Sequence, residues 1–214
     1  PLQPALARQQ PGTRPSRPLP YALQVHARVD GASVMLRFEN AGTAGAVLHV
    51  YDRLHLERGP RRYTVEAGKQ LEGAWQTAAD EGRYDLWVLG PNGFHRHCTG
   101  RAGPPPLEVT ADYQGPGASL RLTLRNPATQ ARSFRVEANA YGYPRLDNTA
   151  LAPGEILSLS WDMSRSAGWY DLTVLDAADP TYTRRLAGRI ETGAPSTSDP
   201  AMGQELILQW TPLA

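Results

Sequence analysis

The chain repeats itself once. Asn40, Gly68, Leu71, Trp75 and the run Gly82-x-Tyr84-Asp85-Leu86-x-Val88-Leu89 return 86 residues later as Asn126, Gly154, Leu157, Trp161 and Gly168-x-Tyr170-Asp171-Leu172-x-Val174-Leu175. A closing segment repeats two residues out of step: Phe94-x-Arg96-x-x-x-Gly100-Arg101 answers Tyr182-x-Arg184-x-x-x-Gly188-Arg189. A period this long, present twice, describes two copies of one small domain, because a solenoid needs three or more short units to bury its core. Residues shared by both copies are expected to build the fold rather than a unique active site.

Each copy alternates apolar and polar residues. Leu120, Leu122 and Leu124 interleave with Arg121, Thr123 and Arg125, and Val34, Leu36 and Phe38 with Met35, Arg37 and Glu39. Period two with one polar face describes half-buried antiparallel strands, and Asp30-Gly31 supplies a hairpin turn between two of them. About seven short strands per copy, with turn signals every 8–12 residues, predict an all-β protein made of two tandem immunoglobulin-like β-sandwiches. Helix is expected to be scarce. Asp80-Glu-Gly82-Arg-Tyr84 resembles the tyrosine corner of such domains, which predicts Tyr84 and Tyr170 buried with each hydroxyl bonded to nearby backbone.

The expected organisation is a Pro/Arg-rich linker over 1–20, a first sandwich over 21–103, a second over 104–193 and a tail over 194–214. The prolines between Pro11 and Pro20 favour an extended spacer. In the tail, Leu206-Ile-Leu-Gln-Trp210 is a candidate edge strand. With neither an initiator Met nor a signal-peptide pattern at its start, the chain reads as a segment of a longer protein.

Composition removes several function classes. The 22 basic and 21 acidic residues nearly cancel, which argues against a nucleic-acid partner, whose binder carries a dominant basic face. One cysteine, Cys98, excludes an internal disulfide or a cysteine-based metal cluster. The G-x-S-x-G, P-loop, H-E-x-x-H and G-x-G-x-x-G signatures are missing. His95 and His97 project to one face of a strand, but two imidazoles leave a metal site short of ligands, so no metal or cofactor is assigned. His49 and His55 near Asp52 have no spacing that specifies acid–base chemistry, and no catalytic residue is assigned.

Surface contacts remain the open question. Arg58, Arg61 and Arg62 sit on one hairpin and Arg184-Arg185 on another, and such groups can grip phosphate or form an ordinary solvated surface. Trp75, Trp161, Tyr84 and Tyr170 recur at matched positions, as core residues would, whereas Trp87 and Trp169 do not match one another and are candidates for surface contact. The loops differ most between copies, so a partner surface is expected within 53–62 or 141–149, where Tyr141 and Tyr143 replace charge.

Several segments resemble a known family. Arg14-Pro-Ser-Arg-Pro-Leu-Pro-Tyr21, Gly59-Pro-Arg-Arg-Tyr-Thr-Val-Glu-Ala-Gly68, the two Gly-x-Tyr-Asp-Leu motifs, Arg184-Arg-Leu-Ala-Gly188 and Glu191-Thr-Gly-Ala-Pro-Ser-Thr-Ser-Asp-Pro-Ala-Met202 are similar to the C-terminal tandem repeat region of bacterial phosphocholine-specific phospholipases C. The resemblance implies a secreted enzyme that releases phosphocholine from phosphatidylcholine or sphingomyelin. It implies catalysis in an N-terminal domain, and so no catalytic residue here. The expected partners are that catalytic domain of the same polypeptide and, as the alternative, a membrane lipid surface or a carbohydrate.

Overall fold

The computed structural model describes residues 10–103, 107–115 and 117–202. After a two-residue strand β1 (Pro15–Ser16), the first repeat contributes seven strands: β2 (Leu23–Asp30), β3 (Ser33–Asn40), β4 (Ala46–Asp52), β5 (Arg61–Val65), β6 (Lys69–Gln76), β7 (Arg83–Leu89) and β8 (His95–Arg101). The second contributes β9 (Glu108–Gln114), β10 (Ser119–Arg125), β11 (Arg132–Ala138), β12 (Leu146–Leu151), β13 (Ile156–Asp162), β14 (Trp169–Asp176) and β15 (Thr183–Arg189). A last short strand, β16 (Ser196–Thr197), pairs with β1. Helix among the described residues is confined to three single 3₁₀ turns.

Both repeats are β-sandwiches of the same topology. In the first, the sheet β2-β3-β6 faces the strands β5-β4-β7-β8; in the second, β9-β10-β13 faces β12-β11-β14-β15. The alternating apolar residues meet between the layers, where Val34, Leu36, Phe38, Leu48, Val50 and Val88 are fully buried in repeat one. Leu120, Leu122, Leu124, Phe134, Val136 and Val174 do the same in repeat two. The repeated asparagines stitch the layers together. Asn40 Nδ2 donates to Ala44 O and Val65 O, Asn126 Nδ2 to Gln130 O and Leu151 O, and each Oδ1 accepts a backbone N–H two residues on. Each asparagine's carbonyl then accepts the N–H of the repeated glycine, Gly68 or Gly154, at 2.8 Å. These glycines have φ of 67° and 74°, a conformation in which a Cβ is strained.

The sandwiches are fused rather than strung together. Strand β8 pairs antiparallel with β15, so the larger layers merge into one eight-stranded sheet, β12-β11-β14-β15-β8-β7-β4-β5. The seam removes two sheet edges that would otherwise expose unpaired backbone groups. It is also two-fold in its chemistry, with each repeat giving the other the same contacts. Arg96 of repeat one donates to Ala187 O at 3.0 Å and to the Tyr170 hydroxyl at 3.0 Å. Arg184 of repeat two donates to Thr99 O at 2.7 Å and to the Tyr84 hydroxyl at 2.6 Å. The guanidinium carbons lie 4.1 Å and 4.3 Å from the ring centroids of Phe94 and Tyr182, the residues two before each arginine. Both arginines are buried, and their charges are met by carbonyls, phenols and ring faces.

The tyrosine-corner expectation is therefore corrected. Tyr84 and Tyr170 are buried at equivalent places, but each hydroxyl accepts from the arginine of the other repeat instead of bonding to upstream backbone. Arg96 also donates to Gln24, and Tyr113 reaches Tyr170 at 2.8 Å, which extends the network on one side. The repeated glycines of the closing segment complete the joint. Gly100 and Gly188 pair across the strand with Tyr84 and Tyr170. A Cβ on Gly100 would stand 2.7 Å from the Tyr84 hydroxyl, and one on Gly188 3.2 Å from that of Tyr170. The rings lie over the glycines because a side chain there would displace them.

The described part of the linker lies against the sandwiches. Residues 10–20 are extended, but they are docked: Pro15–Ser16 pairs with Ser196–Thr197, and Thr43 N donates to Pro20 O at 2.9 Å. The Glu191 carboxylate gathers Leu19 N, Asn92 Nδ2 and Arg189 Nη1 at 3.1, 2.7 and 2.9 Å, joining linker, first repeat and second repeat. The candidate strand Leu206–Trp210 and residues 1–9 lie outside the described residues.

Candidate functional site on the outer sheet face

The strand period sends alternate residues of β4, β7, β8, β14 and β15 outward from the eight-stranded sheet. Cross-strand register assembles them into two rows. One runs Tyr51, Trp87, His97, Arg185; the next runs His49, Leu89, His95, Ala187. Trp87 is the centre. The Arg53 guanidinium lies 4.3 Å above its ring, and His95 and His97 meet it edge-on at 6.0 and 5.9 Å. Asp85 bridges the cluster, with its Oδ1 2.7 Å from His97 Nε2 and its Oδ2 accepting from Arg53 Nη1 at 3.1 Å. Burial, with the Arg185 charge second, lowers the His95 pKa from 6.5 to about 4, so this imidazole is neutral near pH 7. The platform is aromatic and hydrogen-bonding. Its two carboxylates are occupied, since Asp171 takes Arg185 Nε at 2.8 Å and Asn139 Nδ2 at 2.7 Å. Such a surface can bind another surface.

His95 and His97 share a face as the strand period requires, with ring centroids 6.4 Å apart. Among the described residues, no group of three His, Cys, Asp or Glu side chains is placed to hold a metal ion. His55 is separate from His49 and bonds Asp80 at 2.8 Å, tying the β4–β5 loop to the turn before β7.

The seven sequence candidates do not converge. Trp87 is half-buried in the platform. Trp169 is buried, with its indole N–H donating to Thr197 O at 3.2 Å beneath the β1–β16 ribbon, so it is no surface contact. Tyr143 is likewise buried, with its hydroxyl bonded to Ser166 and the Arg165 guanidinium stacked 4.5 Å from its ring. Ser166 stands where repeat one has Asp80, and the two repeats thus fasten their equivalent loops by different bonds. Tyr141, at φ 64°, donates to Asp199 Oδ1 at 2.8 Å; burial and that carboxylate raise its pKa.

The arginine cluster also separates. Arg61 stacks on Trp75 at 3.9 Å and donates to Ala74 O, Arg62 points outward beside His49 at the margin of the platform that holds Trp87, and Arg58 is exposed beside Glu57 and Asp52. Arg184 and Arg185 split in the same way, one into the seam and one onto the platform, because strand neighbours face opposite ways. The antiparallel β8–β15 seam puts the 53–62 and 141–149 loops at opposite ends of the molecule. They cannot form one surface.

Sequence reasoning missed Arg53 and Asp85 as parts of the platform and Arg96 and Arg184 as the seam. The available signal for the seam was an arginine at an inward position of each closing strand, two residues after an aromatic.

Comparison with known proteins places these features. A family model described as the C-terminal domain of bacterial phospholipase C matches residues 15–101 and again residues 107–189. The chain belongs to this family. Both matches end on the last residue of a seam strand, Arg101 or Arg189, so the phospholipase C repeat includes the strand through which its two copies join. A non-hemolytic phospholipase C of Pseudomonas aeruginosa is 38% identical over 93% of this chain and 30% of its own length. One from Burkholderia pseudomallei is 40% identical over 94% and 29%, and a hemolytic phospholipase C of Pseudomonas aeruginosa is 34% identical over 92% and 31%. The chain thus spans roughly a third of each of these phospholipases C, at their C-terminal domain.

Proposed function

We propose that this region is the non-catalytic accessory part of a secreted phospholipase C that releases phosphocholine from phosphatidylcholine or sphingomyelin, and that it packs on and stabilises the N-terminal catalytic domain. The observation that carries this reading is the seam. Two repeats locked by reciprocal buried arginines share one continuous eight-stranded sheet, a broad face suited to bracing a neighbour. Several titratable groups of the outer face support it, because they are engaged with one another or neutral: His97 with Asp85, Arg185 with Asp171, and His95 held neutral by burial. Incubation of this chain with phosphatidylcholine vesicles is expected to release no phosphocholine. Release that tracks the purified protein and disappears on a single substitution overturns the non-catalytic reading.

A second reading, binding to a membrane surface, draws on the β4–β5 loop. Leu54 and Leu56 are 36% and 59% exposed there, beside Arg53 and Arg58. Apolar side chains on such a turn can enter a lipid interface. Flotation with phosphatidylcholine vesicles separates the two readings: the accessory role leaves the chain at the bottom of the gradient, and flotation lost in Leu56→Glu favours the membrane.

A further inference from the structure

We propose that the repeat-one half of the outer sheet face, centred on Trp87, is the docking surface for the polypeptide that precedes this region in the full phospholipase C. The inference rests on the accessory reading above and specifies its interface.

Three observations select this face. The first is its difference from its own copy. Tyr51, Trp87 and His95 hold the places that repeat two gives to Glu137, Thr173 and Thr183, so one sandwich is aromatic where its twin is charged or hydroxylic. Protein interfaces are enriched in aromatic residues at their centre, as this half is, and Asp85 beside Trp87 is already tied to His97 and Arg53. The second is exposure. Val47 and Leu89 on this half are 46% and 39% exposed, whereas on the opposite sheets Ile156, at 61%, has Arg125 as its cross-strand neighbour and the outward residues of β3 and β6 include Arg37, Glu39, Gln70 and Glu72, with Arg37 paired to Glu39 at 2.7 Å.

The third is where the chain enters. The β1–β16 ribbon lies over Trp169 at the end of β14, and Trp169 pairs across the strand with Arg189. The next outward row on the same face is Asp171, Ala187, His95, Leu89 and His49. A preceding domain held by this ribbon therefore arrives beside the platform. The partner's chemistry also follows. Asp85 and Asp171 are already paired, His95 is neutral, and Arg62 lies exposed beside His49 in the same row, so the platform suits an amphipathic protein surface that offers an acceptor to Arg62 rather than a cationic one.

Hydroxyl-radical footprinting compares this chain alone with the intact phospholipase C polypeptide that contains it, both free of lipid. Modification of Tyr51, Trp87 and His97 is expected to fall about threefold or more in the intact protein, as for groups at an interface core. Met35, on the opposite sheet, should be unchanged. Leu89→Glu, at an exposed position, should leave the melting of the chain alone unaltered and restore modification of Trp87 in the intact protein. Protection of Met35 instead overturns this surface while leaving the accessory role standing; protection nowhere removes both. Protection that requires phosphatidylcholine vesicles assigns the face to lipid and overturns the proposal. So does low reactivity in the chain alone that rises on deleting residues 203–214, which assigns the face to the chain's own C-terminal segment.

Discussion

Where repeat one has Trp87, His95 and His97, repeat two has Thr173, Thr183 and Arg185, yet the aspartate between them is kept. Asp85 serves a histidine and Arg53; Asp171 serves an arginine and Asn139. On the inward side of the same strands the copies scarcely differ: Tyr84 and Tyr170, Gly100 and Gly188, Arg96 and Arg184 make one contact set twice. Opposite faces of two strands have thus been held to different standards. The inward face must match its partner across a pseudo-two-fold axis, so change on one side breaks a bond on the other. The outward face has no such constraint and is free to specialise.

Removing one arginine of the seam should be the most damaging single change. Arg96→Met and Arg184→Met should each cost about 2–4 kcal/mol, because buried phenol and carbonyl acceptors lose their donor and a large side chain is lost from a packed joint. Guanidinium melts followed by circular dichroism measure this. Wild-type protein should unfold in a single transition, and either variant should show two. If both variants still melt as one unit with little loss, the seam does not couple the repeats.

A smaller effect distinguishes the two halves of the joint. Gly100→Ala forces a Cβ to within 2.7 Å of the Tyr84 hydroxyl, while the same change at Gly188 leaves 3.2 Å to that of Tyr170. Their φ values, 152° and 153°, are alike, so the backbone penalty cancels in the difference. Gly100→Ala should therefore cost more, by roughly 1 kcal/mol within the range for overpacked sites. Equal losses would show that the tyrosines move aside freely.

Much of this architecture was legible in the sequence, and the reason is physical. Each sheet has one buried face, so Leu120, Leu122 and Leu124 announce their strand by period alone, and the repeat supplies the topology twice. The fusion was not legible, because β8 and β15 read as ordinary closing strands whose pairing depends on the other copy. Arg96 occupies an inward position between Phe94 and Cys98, where a lone sandwich has no use for a charge; the inference that its counterpart lay in the other repeat needed the register. Arg184-Arg185 looked like a surface pair for the same reason. The platform was half legible: Trp87 stood out by lacking a match, and His95 and His97 by sharing a face, but only cross-strand register brings Arg53 and Asp85 to them.

Two imidazoles, one on each side of the first sandwich, have lowered pKa values. His95 on the platform faces Arg185, His97, Arg96 and Asp171, and His26 on the opposite sheet faces Arg96 and Arg37; both fall from 6.5 to about 4, with burial the main cause. Between those values the unfolded chain binds protons that the folded chain refuses. Stability is therefore full above about pH 6.5 and declines as pH falls toward 4. Melting temperature at pH 7, 5.5 and 4.5 should drop by several degrees across the window. His95→Gln should flatten part of that slope, and a pH-independent melt would show that neither ring is held neutral.

The retained aspartates should matter least to stability. Asp85→Asn and Asp171→Asn each weaken contacts of a carboxylate that is 23% or 14% exposed, but the arginine partners, at 35% and 42%, reach solvent that screens the pair. Each should cost about 0.5–1 kcal/mol in the chain alone. The two are expected to diverge only when a partner is present. Asp85 orients His97 and, through Arg53, the cover of Trp87, whereas Asp171 orients Arg185 at the margin of the aromatic half. If the outward face of repeat one has specialised for docking, Asp85→Asn should raise radical modification of Trp87 in the intact phospholipase C more than Asp171→Asn does, despite equal losses in the chain alone. Equal changes in both settings would mean that the two halves of the face differ in composition without differing in use.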